Sequence, residues 1–514
     1  MMRKRCAPAL ALAGLMLAAC GGGGGGPAVV PQPLPTRVPG GGAPLPVAPE
    51  VDAIGGVATV ELAAQIDPAT ALPAFVYRGR KGVVPTIRVK PGDTIVVDVV
   101  NNLPAAHGMQ SDLNLHFHGL TVSPNPPADD VITTLAMAGG SLHYVVPIPK
   151  NQEPGLYWYH PHVFPETDFQ VGQAGISGAI VIAGLERHLP GLAKMKERLI
   201  LIRQVAATGA NIMTRMRPHD EEQNNNPCGP DPGLTVTTNG AVAPAIAIAP
   251  GEQQFFRVVN ATGHKNLKLA VDDGTIELVA IDGFALDKYP GTAPTSTVRS
   301  VVVPPAGRAE FVVTGPGSGA SEFRTLCYDS GPSGDPDPST VLADLRAPAG
   351  RQHATGAPFP ARRLRVGAPL PNDAFSWPLP HVAAKRTIVF SEDDNGMYIN
   401  GKQFSMASPP MFVVRVGTVE QWQVVNVTEE VHDFHMHQTH FFVQQVNGVT
   451  VAHPHWADSV VVPHRIPGKN GSWKPGYLTL LIDFRDPVIR GEFMFHCHIL
   501  DHEDAGMMAK IQAI

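Results

Sequence analysis

The sequence is poor in charge, in aromatic rings and in helical periodicity. Only 16% of its 514 residues are Asp, Glu, Lys or Arg, and 6% are Phe, Trp or Tyr. Cations do not outnumber anions: 39 Lys and Arg face 45 Asp and Glu, a net charge of −6, so the basic footprint of a nucleic-acid-binding protein is missing. Beyond the N-terminus no apolar run is long enough to cross a bilayer as a helix. Helical spacing is weak everywhere except "LAKMKERLILI" (192–202), which reads as either helix or strand. Gly (52) and Pro (51) are abundant, as expected of many short strands joined by turns. The length suits about three domains at roughly 100–200 residues each.

The first residues read as a targeting segment: a basic "MMRKR", an apolar "APALALAGLML" too short to span, and then "LAAC" ending at Cys20. This resembles a bacterial lipoprotein signal, which implies cleavage before Cys20, a lipid anchor on that cysteine, and a place in the cell envelope, at the periplasm or outer membrane. Gly21 after the cysteine suggests no retention at the inner membrane. Losing Arg3, Lys4 and Arg5 with residues 1–20 takes the net charge from −6 to −9. The glycine run 21–26 and the Pro/Gly-rich stretch after it read as a flexible tether over 21–54. Cys6 leaves with the signal. Of the remaining cysteines, Cys228 and Cys327 sit in loop-like contexts and could pair in an oxidising compartment, or stay as two free thiols. Cys497 stands apart.

Three stretches share one pattern: "KPGDTIVVDVVN" (90–101), "APGEQQFFRVVN" (249–260) and "RVGTVEQWQVVN" (415–426). In each, Gly is followed nine residues later by the Asn of Val-Val-Asn: Gly92/Asn101, Gly251/Asn260 and Gly417/Asn426. Each Gly follows an alternating apolar run, so the unit reads as strand, turn, strand. The wide spacing of the copies predicts three similar β domains rather than a solenoid. The expected class is all-β, with three β-sandwiches or barrels of Greek-key type over 55–190, 191–360 and 361–514.

Random placement of 21 histidines would give far fewer His-x-His pairs than the five present. They are His116/His118, His160/His162, His435/His437, His453/His455 and His496/His498. Residues i and i+2 of a strand share a face, roughly 6–7 Å apart, and can present two imidazoles to neighbouring metal ions. In "MFHCHILDHEDAGMM" the parity of the strand sends His496 and His498 one way and Cys497 the other. In "HDFHMH", His432 has the opposite parity to His435 and His437, so it can join Cys497. His502 and Met507 can fold back over the cysteine. Two histidines, a thiolate and a methionine form the ligand set of a blue-copper electron-transfer site. The other eight histidines of the four pairs could hold several more ions.

With "HFHG", "YWYHPH", "HDFHMH" and "HCHILDHEDAGMM" in this order, residues 55–514 resemble a three-domain multicopper oxidase of the laccase type. The resemblance implies three cupredoxin-like domains and four copper ions. Type 1 copper would take His432, Cys497, His502 and axial Met507. Type 2 copper would take His116 and His435. The type 3 pair would take His118, His160, His162, His437, His496 and His498. Asp433 and Met436 depart from the family's usual proline and leucine. The middle domain, whose repeat is followed only by His264, reads as a spacer without copper. His453/His455 falls where the family has no cluster ligand and reads as a surface loop. Met508 reads as core.

The implied reaction is one-electron oxidation of phenols or aromatic amines at type 1 copper, coupled through Cys497 to four-electron reduction of dioxygen to water. Glu503 matches a position proposed to relay protons. "PPADDVI" offers a second, for which Asp129 is preferred over Asp130. An alternative reductant is a metal ion, cuprous, manganese or ferrous, although the 15 methionines form no dense cluster. A copper-free envelope scaffold is the alternative of another class, and such a protein would not need this full ligand set. A simple blue-copper carrier would not need four His pairs.

Overall fold

The computed structural model describes residues 42–105, 111–206, 226–231, 233–288, 292–348, 381–451 and 454–514. The signal with Cys6 and Cys20, the glycine run, His453 and the expected junction at 360/361 lie outside these residues.

Each repeat forms the expected strand–turn–strand. Thr86–Val89 and Thr94–Asn101 flank Gly92, Ala245–Ala247 and Gln253–Ala261 flank Gly251, and Phe412–Val414 and Thr418–Asn426 flank Gly417. The three glycines have φ of 94°, 77° and 91°. A side chain is strained there, which accounts for glycine at each copy. The repeat asparagines are fully buried and do one job three times. Asn101, Asn260 and Asn426 each donate from Nδ2 to two carbonyls of the following chain and accept at Oδ1 from the N–H two residues on. A buried amide satisfied this way pins the chain that leaves the strand. In the first and last units the pinned chain leads into His116–His118 and His432–Met436.

Residues 50–182 build two five-stranded sheets, residues 196–346 a seven- and a five-stranded sheet, and residues 382–513 the same pair again. In each unit the repeat strand runs parallel to a long earlier strand: Val57–Asp67, Lys196–Ala206 or Val382–Asp393. The ambiguous "LAKMKERLILI" is thus resolved into the end of a short 3₁₀ turn, Pro190–Lys194, and the start of that strand. One apolar core fills each unit, with Val60, Ile95 and Phe117 in the first, Ile200, Phe256 and Phe311 in the second, and Ile388, Trp422 and Phe495 in the third. Leu156 and Trp158, Leu201 and Val259, and Leu500 form a further apolar cluster shared by all three units.

The tether expected over 21–54 does not extend to residues 42–54. Leu45 packs in the middle core and its N–H donates to Ala245 O, while Glu50–Asp52 adds a parallel strand beside Thr86–Val89. Burial of Leu45 and a strand edge outweigh the local Pro/Gly content. Cys228 and Cys327 form a disulfide across 99 residues, with their Cα atoms 5.4 Å apart.

Candidate metal centre

Strand pairing brings the histidines together. His116–His118 lies antiparallel to Gly155–His160, with His116 opposite His160. His432–Met436 lies antiparallel to Gly491–Cys497, with His435 opposite His496 and Phe434 opposite Cys497. The two strand pairs, one from each outer unit, then face each other. His116 stacks on His437 with centroids 3.8 Å apart, and His118 on His435 at 4.0 Å. His162 Nε2 and His437 Nε2 approach His496 Nε2 at 3.3 and 3.2 Å. The His498 ring lies 5.2 Å from that of His118 and 5.7 Å from that of His160. All eight rings are buried.

Their nitrogens fit a metal cluster. Among the described residues, His116 Nε2, His118 Nδ1, His160 Nε2, His435 Nε2, His437 Nδ1 and both nitrogens of His498 have no hydrogen-bond partner. The opposite nitrogens of four of these rings are held: His116 Nδ1 by Asp129 at 3.0 Å, His118 Nε2 by Asp458 at 3.2 Å, His160 Nδ1 by Pro161 O at 2.8 Å, and His435 Nδ1 by Asp458 O at 2.7 Å. Burying a polar nitrogen without a partner is costly, and a metal ion would satisfy it. Burial lowers the pKa of His116, His118, His160, His435, His437 and His498 well below the ordinary imidazole value, which favours the neutral form that ligates; it lowers His162 less, because Glu503 opposes it.

Cys497 faces the other side of its strand. Its Sγ lies 3.7 Å from His432 Nδ1 and 3.8 Å from His502 Nδ1, and those two nitrogens are 3.0 Å apart. A point about 2 Å from all three atoms exists, which is a metal–ligand bond length. The far nitrogens are engaged: His432 Nε2 with Thr428 Oγ1 at 3.0 Å, and His502 Nε2 with Glu430 at 3.3 Å. Burial pushes the Cys497 thiol up, with Asp433 adding to it, so metal binding there displaces a proton. Met507 is buried in the same core, and its carbonyl accepts from Cys497 N at 3.0 Å. The Asp433 N–H donates to Cys497 Sγ at 3.3 Å. The short helix Leu500–Asp504 carries His502 and Glu503 on the turn that returns the chain to this site.

Two segments, 67–187 and 377–513, match the multicopper oxidase family. The chain belongs to the multicopper oxidase family. It is 25% identical over 441 residues to the multicopper oxidase mco of Staphylococcus aureus, covering 83% of this chain and 81% of that one. It is 24% identical over 491 residues to the laccase of Bacillus subtilis (strain 168), covering 82% and 87%. In fold it resembles the Campylobacter jejuni multicopper oxidase, a metallo-oxidase (TM-score 0.71, 22% identity, 92% and 95% covered). It also resembles a laccase-like multicopper oxidase from Ochrobactrum sp. (0.68, 22%, 92% and 100%). This multicopper oxidase is a copper-dependent oxidoreductase with O2 as acceptor.

Two carboxylates border its histidine chamber, and their pKa values shift in opposite directions. Asp129 accepts from His116 Nδ1 and Phe117 N through Oδ1, and from Gln438 at 2.6 Å through Oδ2. Burial pushes it up to about 7. Asp130, the neighbour not preferred, instead caps Ile132, Thr133 and Thr134. Glu503 lies 3.0 Å from His496 Nδ1 and 3.5 Å from His162 Nε2, and accepts from Thr167 Oγ1. Burial alone would raise it, but those two imidazoles outweigh burial and hold it below the usual carboxylate range. Sequence reasoning missed Asp458, which touches His118, His435 and His440. It sits in "WADSVVVP" after the fifth pair, as a lone acid with no periodicity to betray it. His455 lies outside the chamber, its carbonyl accepting from Val443 N. Met508 packs with Val131, Phe404 and Met494. His264 stands apart from the cluster, with Asp231 at 3.4 Å.

Proposed function

We propose that His432, Cys497, His502 and Met507 hold type 1 copper, His116 and His435 type 2, and His118, His160, His162, His437, His496 and His498 the type 3 pair, four ions per chain. Copper at these positions would supply one-electron uptake beside Cys497 and four-electron reduction of dioxygen to water in the histidine chamber. The observation that carries this reading is the strand Gly491–Cys497. It puts a buried sulfur on one side and, through adjacent peptide bonds, His496 and His498 on the other. Burial excludes bulk water from both sides. Asp129, pushed up to about 7, can give or take a proton near neutral pH, and Glu503 stays an anion beside His496 and His162. A copper-free scaffold would leave the unpartnered ring nitrogens buried at a cost without return.

The donor we propose is a phenol or aromatic amine, as the likeness to laccases suggests. A second reading, a metal-ion donor, is favoured by one observation. A narrow cleft over His502 is lined by His264, Asn266, Asp335 and Glu430, with room for about one water-sized guest. That suits a small cation better than an aromatic ring. Steady-state rates on the copper-loaded protein with phenols, Cu(I), Mn(II) and Fe(II) decide between the two. Copper analysis finding no metal after reconstitution would end both readings.

We further propose export to the cell envelope, with a lipid on Cys20. The "LAAC" motif supports it, and the Cys228–Cys327 disulfide suits an oxidising compartment.

A further inference from the structure

The middle unit contributes no cluster histidine, yet one of its side chains reaches the chamber. Arg308 opens the strand Arg308–Thr314 and is fully buried. Nη1 and Nη2 each donate to one oxygen of Asp458, both at 2.6 Å. Nε donates to Leu156 O at 3.2 Å, Nη2 also to Asp282 O at 3.0 Å, and Nη1 to Ala306 O at 3.4 Å. All five donors of the guanidinium are thereby used. Asp282 closes the frame: it accepts from Arg308 N at 2.8 Å and from the N–H groups of Asp458 and Ser459 at 3.2 and 3.3 Å. Gly119, which ends "HFHG", has φ of 82°, and a Cβ there would run into Arg308 Nη2 and Asp458 Oδ2.

What Arg308 holds is the hinge of two ligands from different units. Asp458 Oδ1 accepts from His118 Nε2 at 3.2 Å, and Asp458 O accepts from His435 Nδ1 at 2.7 Å. These contacts fix both tautomers, leaving the lone pairs of His118 Nδ1 and His435 Nε2, both unpartnered among the described residues, aimed into the chamber. Asp458 could itself offer an oxygen to a metal, and with His118 and His435 its ligand atoms lie within 4.8 Å of one another. The bidentate pair with Arg308 occupies both of its oxygens and keeps it a hydrogen-bond acceptor instead.

We propose that Arg308 is a positioning residue for the histidine cluster: by locking Asp458, the middle unit sets the tautomer and aim of His118 from the first unit and His435 from the third. The proposal rests on reading the chamber as the copper cluster. Its test compares the copper-loaded wild type with Arg308→Lys, which keeps the charge but loses the fork, and with the double variant Arg308→Met/Asp458→Asn, which avoids an unpaired buried charge. The readouts are chelator resistance of the bound copper, the type 2 paramagnetic signal and the blue absorption. Lost outer contacts of this kind typically weaken metal binding about 10–100-fold. The expected result is cluster copper lost at roughly 10–100-fold lower chelator concentration, with an altered type 2 signal and an intact blue band; Arg308→Lys should lie between the double variant and wild type. A folded, blue Arg308→Lys protein with wild-type chelator resistance and type 2 signal overturns the proposal. So does loss of the blue band in step with cluster copper in both variants, which marks Arg308 as general interdomain support. A wild type that binds no copper would instead overturn the reading of the chamber.

Discussion

The ring of His496 turns back onto the peptide of its neighbour: its Nδ1 donates to the carbonyl oxygen of Cys497 at 3.0 Å. The Cys497 sulfur and the His496 ring thus sit on opposite faces of one strand, joined by covalent bonds and one hydrogen bond. Cys497→Ser should remove the blue absorption and drop oxidase activity to background, while the cluster copper remains. Serine is a poor substitute for the soft thiolate. His498→Ala should do the reverse, keeping a blue centre that accepts an electron but not reducing oxygen. Copper analysis with absorption spectra reads both. A blue Cys497→Ser protein contradicts the assignment.

Glu503 and Asp129 should separate in their pH behaviour. Glu503→Gln keeps the shape and removes the titrating group, so oxygen reduction should slow by roughly 10²-fold or more while reduction of the blue centre by substrate is unchanged. Asp129, pushed up to about 7, is protonated below that pH and ionised above it. If it donates a proton, the rate falls as pH rises through about 7, and Asp129→Asn abolishes that limb. Stopped-flow rates across pH check both; an unchanged profile in Asp129→Asn removes Asp129 from the proton path.

Asp433 replaces the proline usual in the family and so has an N–H to give to Cys497 Sγ, at 3.3 Å. Hydrogen bonding around the cysteine sulfur tunes the potential of such centres. Asp433→Pro deletes the donor and should lower the type 1 reduction potential, while Asp433→Ala keeps the donor and should move it less. Equal shifts in both variants, measured by redox titration, would assign the effect to the carboxyl instead.

His264→Ala should leave copper content unchanged, because the ring stands apart from the cluster. If a cation binds in the cleft over His502, His264→Ala and Asp335→Asn should raise KM for the metal-ion donor a few-fold and leave phenol oxidation alone. Equal effects on both donor classes would argue against a cation subsite.

Cys20→Ser should release the protein from the membrane fraction or leave its signal uncut, since stable anchoring needs the acyl chains. Unchanged processing and fractionation would rule out the anchor.

The repeats and the His pairs were legible because both are periodic. Gly92, Gly251 and Gly417 mark turns that need positive φ, and alternation in "HCH" sorts its side chains to two faces. Asp458 and Arg308 were not legible. Each is a single charged residue whose partner lies 150 positions away in the chain, and only folding makes the pair. The same applies to Leu45: nothing local in a Pro/Gly-rich stretch announces that one leucine fills the middle core.

The stacked rings of His118 and His435 come from the first and the third unit, far apart in the sequence. No ribosome-bound fragment can hold the complete cluster until residues 496–498 have been made and the third unit has closed on the first. If the chamber is the copper cluster, its full loading follows synthesis of the third unit rather than accompanying it. A chain cut short before His496 would lack Cys497 as well, and would disclose the truncation by its missing colour.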